Sequence, residues 1–534
     1  MNMKKLLAWI LAAAMLIGAA ALVVTSGAKS ETRSVSSPEM FSRSVGNGVG
    51  RELSAAKRLQ EEKAQAEETD LFVGADVVVN VGLDVLDKEV LEMLQSAAGI
   101  DLSWLQSIGL HVDYGREGAL NGVNFGALLN GTEFMDAKFV MDTEAGKAFL
   151  QIPALGAKFM EIPLDLSEID LNNVGGKPEF LNDPEAVEEM LQRYLEIVLE
   201  NVEETEAGEE TLELANGKSV DCTVHEIKLD GETIIKLTDA LLTEAKDDEN
   251  MKELVLFGLQ NINNADVDVD DLRENWEARI DELLEEVRDT KSEDITFCVE
   301  QRSFVDEDEE VRGLEMKAYD DEELVFSFGF KTVREDEELF FEGDCFFYDE
   351  NEGENVRLMA AGSFVADEDK ESVKGGFDLS VKTWDEDEEE AETLELARVD
   401  LEVEKKDDTS RFQMDIVPAE ELMDKLLEDA DLGEVLEKQI RKLSLRVSGE
   451  MKKDEGGEMK YSLRSDDKDV LSLAVSAAPI DAFEIVLPTD AVDADAWSQS
   501  LDMNGLSDVV SKLIEAGLPS SLLESFGNLM SDAA

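Results

Sequence analysis

Apolar side chains alternate with polar ones over residues 293–417, and this period of two constrains the fold more than any other feature. Every second residue from 324 to 330, for example, is Leu or Phe. Successive side chains of a strand point to opposite faces of a sheet, so the pattern predicts strands with one apolar face. Acid-rich turns interrupt the runs, as at residues 306–309 and 320–322. The segment therefore predicts an up-and-down meander of about eight antiparallel strands.

The rest of the chain mixes strands with amphipathic helices. Asp183 and Pro184 predict an N-cap and a first helical residue, and apolar residues then recur at helical spacing over 187–199. Further strands are predicted at 71–81, 110–115, 133–142, 147–152, 158–162, 219–229, 443–451, 459–463, 470–475 and 483–487. Further helices are predicted from Asp87, over 232–245, 251–259 and 272–287, and within 419–441. The predicted fold is α+β, with large curved antiparallel sheets, built as meanders, that amphipathic helices cover.

Pattern and composition divide the chain into five segments. These are a signal peptide or N-terminal anchor at 1–28, a flexible or helical tether at 29–70, an α+β domain at 71–290, the meander at 291–417 and a C-terminal α+β segment at 418–534. The same order of elements occurs twice in the sequence. A strand is followed by a helical stretch, by meander strands and by a final strand that ends at a proline, Pro163 in the first copy and Pro488 in the second. This order predicts an internal repeat.

The N-terminus has the order of an export signal. Lys4 and Lys5 precede 19 apolar residues, 6–24, and small residues follow up to Ala28. Cleavage there would give a secreted or cell-surface protein. Retention would anchor the protein through residues 6–24, which are just long enough to cross a bilayer. Both outcomes predict an extracytoplasmic protein that meets the membrane only through this segment, without a lipid anchor, because the first cysteine is Cys222.

The chain is strongly acidic, with a formal net charge of −76. Such a charge repels nucleic acid and anionic lipid, so the sequence excludes nucleic-acid binding. The same carboxylates predict nonspecific attraction of divalent cations. Acidity alone would favour disorder, but 43% hydrophobic residues with regular periodicity supply enough apolar surface for a folded core.

One acidic segment partly matches a calcium-binding loop. Asp266, Asp268, Asp270 and Glu277 occupy four of its ligand positions, but Asp271 stands where that loop needs glycine for its sharp turn. The sequence therefore favours a helix N-terminus that Asp270 or Asp271 caps.

The cysteines and histidines do not form a recognisable metal site. Cys222 and His225 have the spacing of half a zinc site, but residues three apart in a strand face opposite sides. His111 also lies in a predicted strand, so the two histidines do not support histidine-based catalysis. Cys298 and Cys345 fall in strands of the meander, where they either form a disulfide or remain buried thiols.

The sequence predicts no catalytic, cofactor-binding or metal-binding residue. Ser54 and Lys57 match the Ser-x-x-Lys form of serine acyl enzymes, but they lie in the tether and the partner motifs of that class do not occur. With 125 acidic residues, neighbouring carboxylates occur throughout the chain and do not identify a glycosidase pair. We therefore do not expect an enzyme.

The runs KAFLQIP (147–153) and KFMEI (158–162) resemble the paired strands of LolA-like lipoprotein-carrier domains and related secreted proteins of Gram-positive bacteria. The resemblance covers roughly residues 71–245, and the chain departs from the lipoprotein members by lacking a lipidation cysteine. It implies a curved antiparallel sheet with helices over its concave face and a cavity that binds acyl chains or lipoprotein segments.

Two functional hypotheses follow. In the first, a non-enzymatic envelope protein holds a lipid, another hydrophobic ligand or a partner segment between sheet and helices, with helix 185–203 in the lid. In the alternative, an acidic structural or adhesive surface protein has no ligand cavity. An apolar cavity above about 300 Å³ would favour the first hypothesis, and close packing throughout would favour the second.

Overall fold

The computed structural model describes residues 71–98, 101–162, 178–261, 269–349, 354–367, 371–385, 392–428, 434–453, 455–500 and 503–520, together with Leu522. The predicted export signal and tether, including Ser54 and Lys57, lie outside these residues, as do Asp266 and Asp268 of the calcium-loop match.

The described residues form nineteen strands in one antiparallel sheet and ten α-helices, which confirms the predicted α+β class. The strands are β1 Leu71–Val81, β2 Ser107–Glu117, β3 Leu120–Leu129, β4 Thr132–Asp142, β5 Lys147–Gln151, β6 Met160–Ile162, β7 Glu204–Glu213, β8 Ser219–Leu229, β9 Cys298–Val305, β10 Val311–Asp320, β11 Glu323–Glu335, β12 Glu338–Asp349, β13 Glu354–Asp367, β14 Ser372–Asp385, β15 Glu392–Lys406, β16 Thr409–Pro418, β17 Leu443–Lys452, β18 Gly456–Ser465 and β19 Lys468–Pro479. The helices are α1 Lys88–Ala98, α2 Pro184–Asn201, α3 Gly231–Asp247, α4 Glu249–Asn261, α5 Val269–Glu274, α6 Trp276–Asp289, α7 Glu420–Glu428, α8 Glu434–Ile440, α9 Ala494–Gln499 and α10 Met503–Glu515.

The predicted meander is present as the eight strands β9 to β16. Its acidic turns hold residues in the left-handed region, such as Asp321 (φ 49°) and Glu322 (φ 69°) between β10 and β11 and Asp407 (φ 51°) between β15 and β16. Aspartate tolerates this conformation better than most residues because its short side chain can hydrogen-bond to the local backbone.

The chain divides into two compact units. Unit 1 contains the described parts of residues 171–362 and 381–393, and unit 2 contains those of residues 65–170, 363–380 and 394–534. Each unit therefore combines segments that are distant in the sequence.

In unit 1, helices cover one face of the sheet. Leu229 of β8, Val299 of β9 and Ala318 of β10 are cross-strand neighbours on this face, and all three are buried. Ile234 and Leu237 of α3 belong to the same buried cluster, and Val198 of α2 packs against that cluster. Val198, one residue of the apolar stripe predicted over 187–199, thus packs against a cluster that includes sheet residues.

Helix α6 forms a second helical layer on α3. Its Trp276 is buried and donates the indole N–H to the carbonyl of Ala245 (3.1 Å). The sequence predicted one helix over 272–287, but the chain has two helices on either side of Asn275. The backbone of Asn275 departs from helical dihedral angles (φ −114°, ψ 22°), although its N–H still donates to the carbonyl of Asp271 (3.0 Å).

In unit 2, β1 lies between β19 and β2 and pairs with both in antiparallel orientation. The strands from β15 to β19 precede β1 in the sheet and those from β2 to β6 follow it. The first described strand thus joins the early and late parts of the sequence.

Strands β3 and β7 were not predicted, for two different reasons. Strand β3 contains Gly122 and Gly126, which have low strand propensity. Strand β7 has five glutamates in ten residues and lacks a regular apolar alternation. Both form because neighbouring strands supply their hydrogen bonds, with β2 and β4 on either side of β3 and β8 beside β7.

The predicted strand at 483–487 was wrong. Residues 480–485, here called the strap, instead run across strands β1 to β3 outside the sheet. Phe483 of the strap meets Phe72 of β1 edge-to-face at 5.4 Å, and buried Ile485 lies over Gly122. Glycines make room for the strap, because a Cβ atom on Gly115 would lie 2.7 Å from Phe72 and 2.8 Å from Phe483.

We predict that Gly115→Ala lowers the stability of unit 2 by about 1–3 kcal/mol, because the new methyl group overpacks the contact between strap and sheet. Thermal unfolding followed by circular dichroism measures the effect. The control is Gly156→Ala in the same unit, where the nearest atom, the carbonyl oxygen of Ser500, lies at an ordinary 3.6 Å. Equal unfolding midpoints for the two variants would contradict the close packing of the strap.

Candidate functional site

Unit 2 has a sheet face made of apolar side chains. Directly opposed residues of antiparallel strands lie side by side on one face of a sheet, so the strand register identifies them. The first row is Val399, Ile416, Leu445, Leu463, Leu471 and Val81. The second row is Leu401, Met414, Val447, Tyr461, Leu473, Val79, Ile108 and Leu129. The third row is Val403, Phe412, Gly449, Met459, Val475, Val77, Leu110, Ala127 and Met135.

These three rows are called the apolar face. None of their residues carries a charge, although 33% of the chain is charged. With strands about 4.8 Å apart and rows about 7 Å apart, the three rows occupy about 40 by 20 Å of the sheet, or ~800 Å². Val399 and Leu129, at the ends of their rows, are buried.

Much of the apolar face is exposed. Ile108 is 52% exposed, Leu471 44% and Tyr461 41%, whereas Ser462 and Ser472, on the opposite face of β18 and β19, are each 2% exposed. Soluble proteins usually show the reverse, with aliphatic side chains inside and serines outside. A large exposed apolar surface of this kind is typical of a binding site.

Ion pairs cover the opposite face of the same strands, here called the polar face. Arg446 of β17 binds both carboxylate oxygens of Asp415 on β16, at 2.6 and 2.9 Å. Arg411 of β16 binds Glu450 of β17 at 2.6 Å. Burial alone would raise the pKa of Asp415, but hydrogen bonds, chiefly from Arg446, hold it below its usual value. Strand alternation thus separates the apolar side chains from the paired charges.

The polar face also contains a groove of about 750 Å³ across strands β15 to β19. Glu402, Gln413, Ser448, Lys460 and Ser476 are among its lining residues. Charged and polar side chains share this lining with Phe412, Ala477 and Ala478, so the groove is not the mainly apolar cavity that a lipid carrier needs.

His111 lies on the polar face between two carboxylates. Its Nδ1 atom is 2.7 Å from Oδ1 of Asp76 on β1, and its Nε2 atom is 3.0 Å from Oδ1 of Asp113 on β2. The hydrogen bond with Asp76 raises the pKa of His111, and the charge of Asp113 adds to this although partial burial opposes it. Both ring nitrogens are therefore engaged by aspartates, so the imidazole links β1 to β2.

The three cysteines are free thiols. Two strands, β10 and β11, separate Cys298 on β9 from Cys345 on β12, so their Cα atoms are more than about 14 Å apart, whereas a disulfide needs Cα atoms within about 7 Å. Burial raises the pKa of Cys222 to about 11 and also raises the pKa of Cys298 and Cys345. The disulfide considered from the sequence does not form, and the thiols are weak nucleophiles.

The residues of the two possible metal motifs are not brought together. Cys222 packs with Val224 and Phe304, and His225 occupies the opposite parity on β8. Asp271 lies within helix α5 rather than at its N-cap and pairs with Arg279 of α6 at 3.0 Å, so the predicted cap was wrong. Within the described residues, no group of three or more potential ligands could hold a metal ion.

Sequence reasoning missed the apolar face as a site. The alternation in β1 and in β17 to β19 was visible, but the register that joins these distant segments into rows was not.

A comparison of this chain with protein-family models finds no match, and neither does a search of curated proteins. Among the described helices, none has the length and apolar character needed to span a membrane.

We predict that His111 stabilises unit 2 most in acid. Its pKa is raised above the ordinary 6.5, so its contribution is fully present below that pH and is lost as the pH rises through the raised pKa. Urea unfolding of the wild type and of His111→Gln across this range should show a stability difference that shrinks as the pH increases. A difference that stays constant with pH would contradict protonation of His111 between the two aspartates.

Proposed function

We propose that this chain is a non-enzymatic extracytoplasmic envelope protein that binds a hydrophobic ligand on the apolar face. This proposal rests on the solvent exposure of the uncharged rows in strands β15 to β19 and β1 to β4. Burial of apolar surface gains about 25 cal/mol per Å², so a ligand that covers ~300 Å² gains about 7 kcal/mol before the cost of association.

The proposed location rests on the N-terminal sequence. Two lysines, the apolar run 6–24 and small residues up to Ala28 have the order of an export signal. Contact with the membrane is proposed only through this run, if it is retained. Either location would leave the folded units outside the cytoplasm.

The absence of enzymatic activity is proposed from the chemistry of the described side chains. Burial raises the pKa of all three cysteines, which disfavours the reactive thiolate. The two nitrogens of His111 are both occupied by carboxylates, which leaves neither in position to act as a general base.

The packing of helix α2 favours a ligand site on unit 2 rather than beneath a helical lid. Met190 of α2 is 2% exposed, and Ile197 and Val198 pack on the buried cluster of strands β8 to β10. These side chains of α2 are thus engaged in packing within unit 1. A ligand that binds to the apolar face of unit 2 does not need to displace packed side chains.

The alternative is an acidic structural or adhesive surface protein. The close packing of unit 1 and the ion-paired polar face of unit 2 support it, because both are rigid features that need no ligand. In that case, the apolar face would not take up small hydrophobic molecules.

We predict that a neutral long-chain fluorescent probe binds to the purified protein and that the double variant Leu110→Asn/Val475→Asn weakens this binding by about tenfold, because amide groups interrupt the third row. Fluorescence titration gives the two dissociation constants. The matched control is Leu426→Asn/Ile514→Asn, which alters apolar residues of helices α7 and α10 in the same unit that are at least half exposed. An equal loss in both double variants, or no probe binding to the wild type, would contradict the proposal and favour the structural alternative.

A further inference from the structure

We propose that the natural ligand of the apolar face is a cationic amphipathic helix, with an apolar stripe and flanking Lys or Arg residues. This inference rests on the proposed function and names the class of ligand. It follows from the dimensions of the face, its lack of charge and the acidity around it.

The dimensions of the face match those of a helix. A helix of about 22 residues is about 33 Å long and, with its side chains, about 10 Å wide. It fits along the rows of the apolar face, which extend about 40 Å across nine strands. Such a helix has an apolar stripe on one side only, and its polar side would remain in water.

The absence of charge on the face restricts how the ligand contacts it. The rows from Val403 to Met135 and from Leu401 to Leu129 offer no ion-pairing partner, so a charged group of the ligand cannot lie at their centre without losing its hydration. The only polar side-chain group in the three rows is the hydroxyl of Tyr461 on β18. The part of the ligand that contacts the face is therefore apolar.

The negative charge around the apolar face favours a ligand with positively charged residues beside its apolar stripe. The described part of unit 2 carries about twice as many acidic as basic residues, and the whole chain has a net charge of −76. At the strand ends, the exposed turns include Asp407, Asp466 and Asp467, and nearby Lys405 already lies 3.8 Å from Glu371. The field attracts cationic ligands and repels anionic ones.

The same negative charge disfavours binding of a second copy of this chain to the apolar face. Two apolar faces could stack as sheets about 10 Å apart, and ~800 Å² per partner is enough for a stable dimer. Each copy, however, would bring a net charge of −76 toward the other. The negative field of the protein attracts a cationic helix, whereas the same field makes two copies of the chain repel each other.

The test uses three synthetic peptides of about 22 residues. The first has leucines on one helical face and lysines on the other, the second scrambles the same composition, and the third replaces each lysine with glutamate. Isothermal titration calorimetry with the full chain measures binding at about 0.05 and 0.5 M salt. We expect the first peptide to bind at least about tenfold more tightly than the scrambled peptide at both salt concentrations, and the glutamate peptide to bind more weakly than the first.

The protein variants locate the binding. Leu110→Asn/Val475→Asn should weaken binding of the Leu/Lys peptide by about tenfold, and Leu426→Asn/Ile514→Asn should leave it unchanged. Light scattering of the wild type without peptide tests for a second copy on the face. A dimer that Leu110→Asn/Val475→Asn dissociates would overturn the proposal.

The outcomes also separate this inference from the function on which it rests. If the neutral probe binds and the Leu/Lys peptide binds no better than its scrambled or glutamate counterpart, the cationic helix is wrong but hydrophobic-ligand binding stands. If neither probe nor peptide binds, both proposals are overturned. If both bind with the same sensitivity to Leu110→Asn/Val475→Asn, both proposals are supported.

Discussion

The antiparallel register of the strands in unit 2 determines which side chains share a face of the sheet. Because Val77 of β1 lies opposite Val475 of β19 and Leu110 of β2, their side chains share one face of the sheet. A slip of one residue in β1 would place Asp76 or Val78 opposite these residues and would mix the two faces. The contacts between His111 and Asp76, and between the strap and Gly115, lie on the polar face and favour the observed register.

Apolar sheet surface is buried in unit 1 and partly exposed in unit 2. In unit 1, Leu229, Val299 and Ala318 are buried in one cluster with Ile234 and Leu237 of α3, and α2 packs against this cluster. In unit 2, the strap covers the glycine-containing part of the polar face, while Ile108 and Leu110 on the apolar face remain 52% and 40% exposed. The exposed surface carries a hydration cost that a bound partner would relieve, which is why we relate function to unit 2.

Local pattern was enough to predict most elements. The alternation in 71–81 and the Asp183-Pro184 start of α2 correspond closely to β1 and α2, since both signals act over a few residues. Strand β3 was missed because Gly122 and Gly126 serve contacts with Ile485 and Glu133 that only the folded chain shows. The apolar face could not be predicted because it depends on the pairing of β1 with β19, residues about 400 positions apart.

The solvent exposure of individual methyl groups shows whether the apolar face is open to water. Methyl-labelled protein can be titrated with a soluble paramagnetic agent while the relaxation of each methyl resonance is measured. We predict strong enhancement for Val77, Leu110 and Val475, and little for Val224, Val299 and Leu314, which are at most 1% exposed. Equal protection of the two groups would show that the apolar face is covered and does not provide an open binding surface.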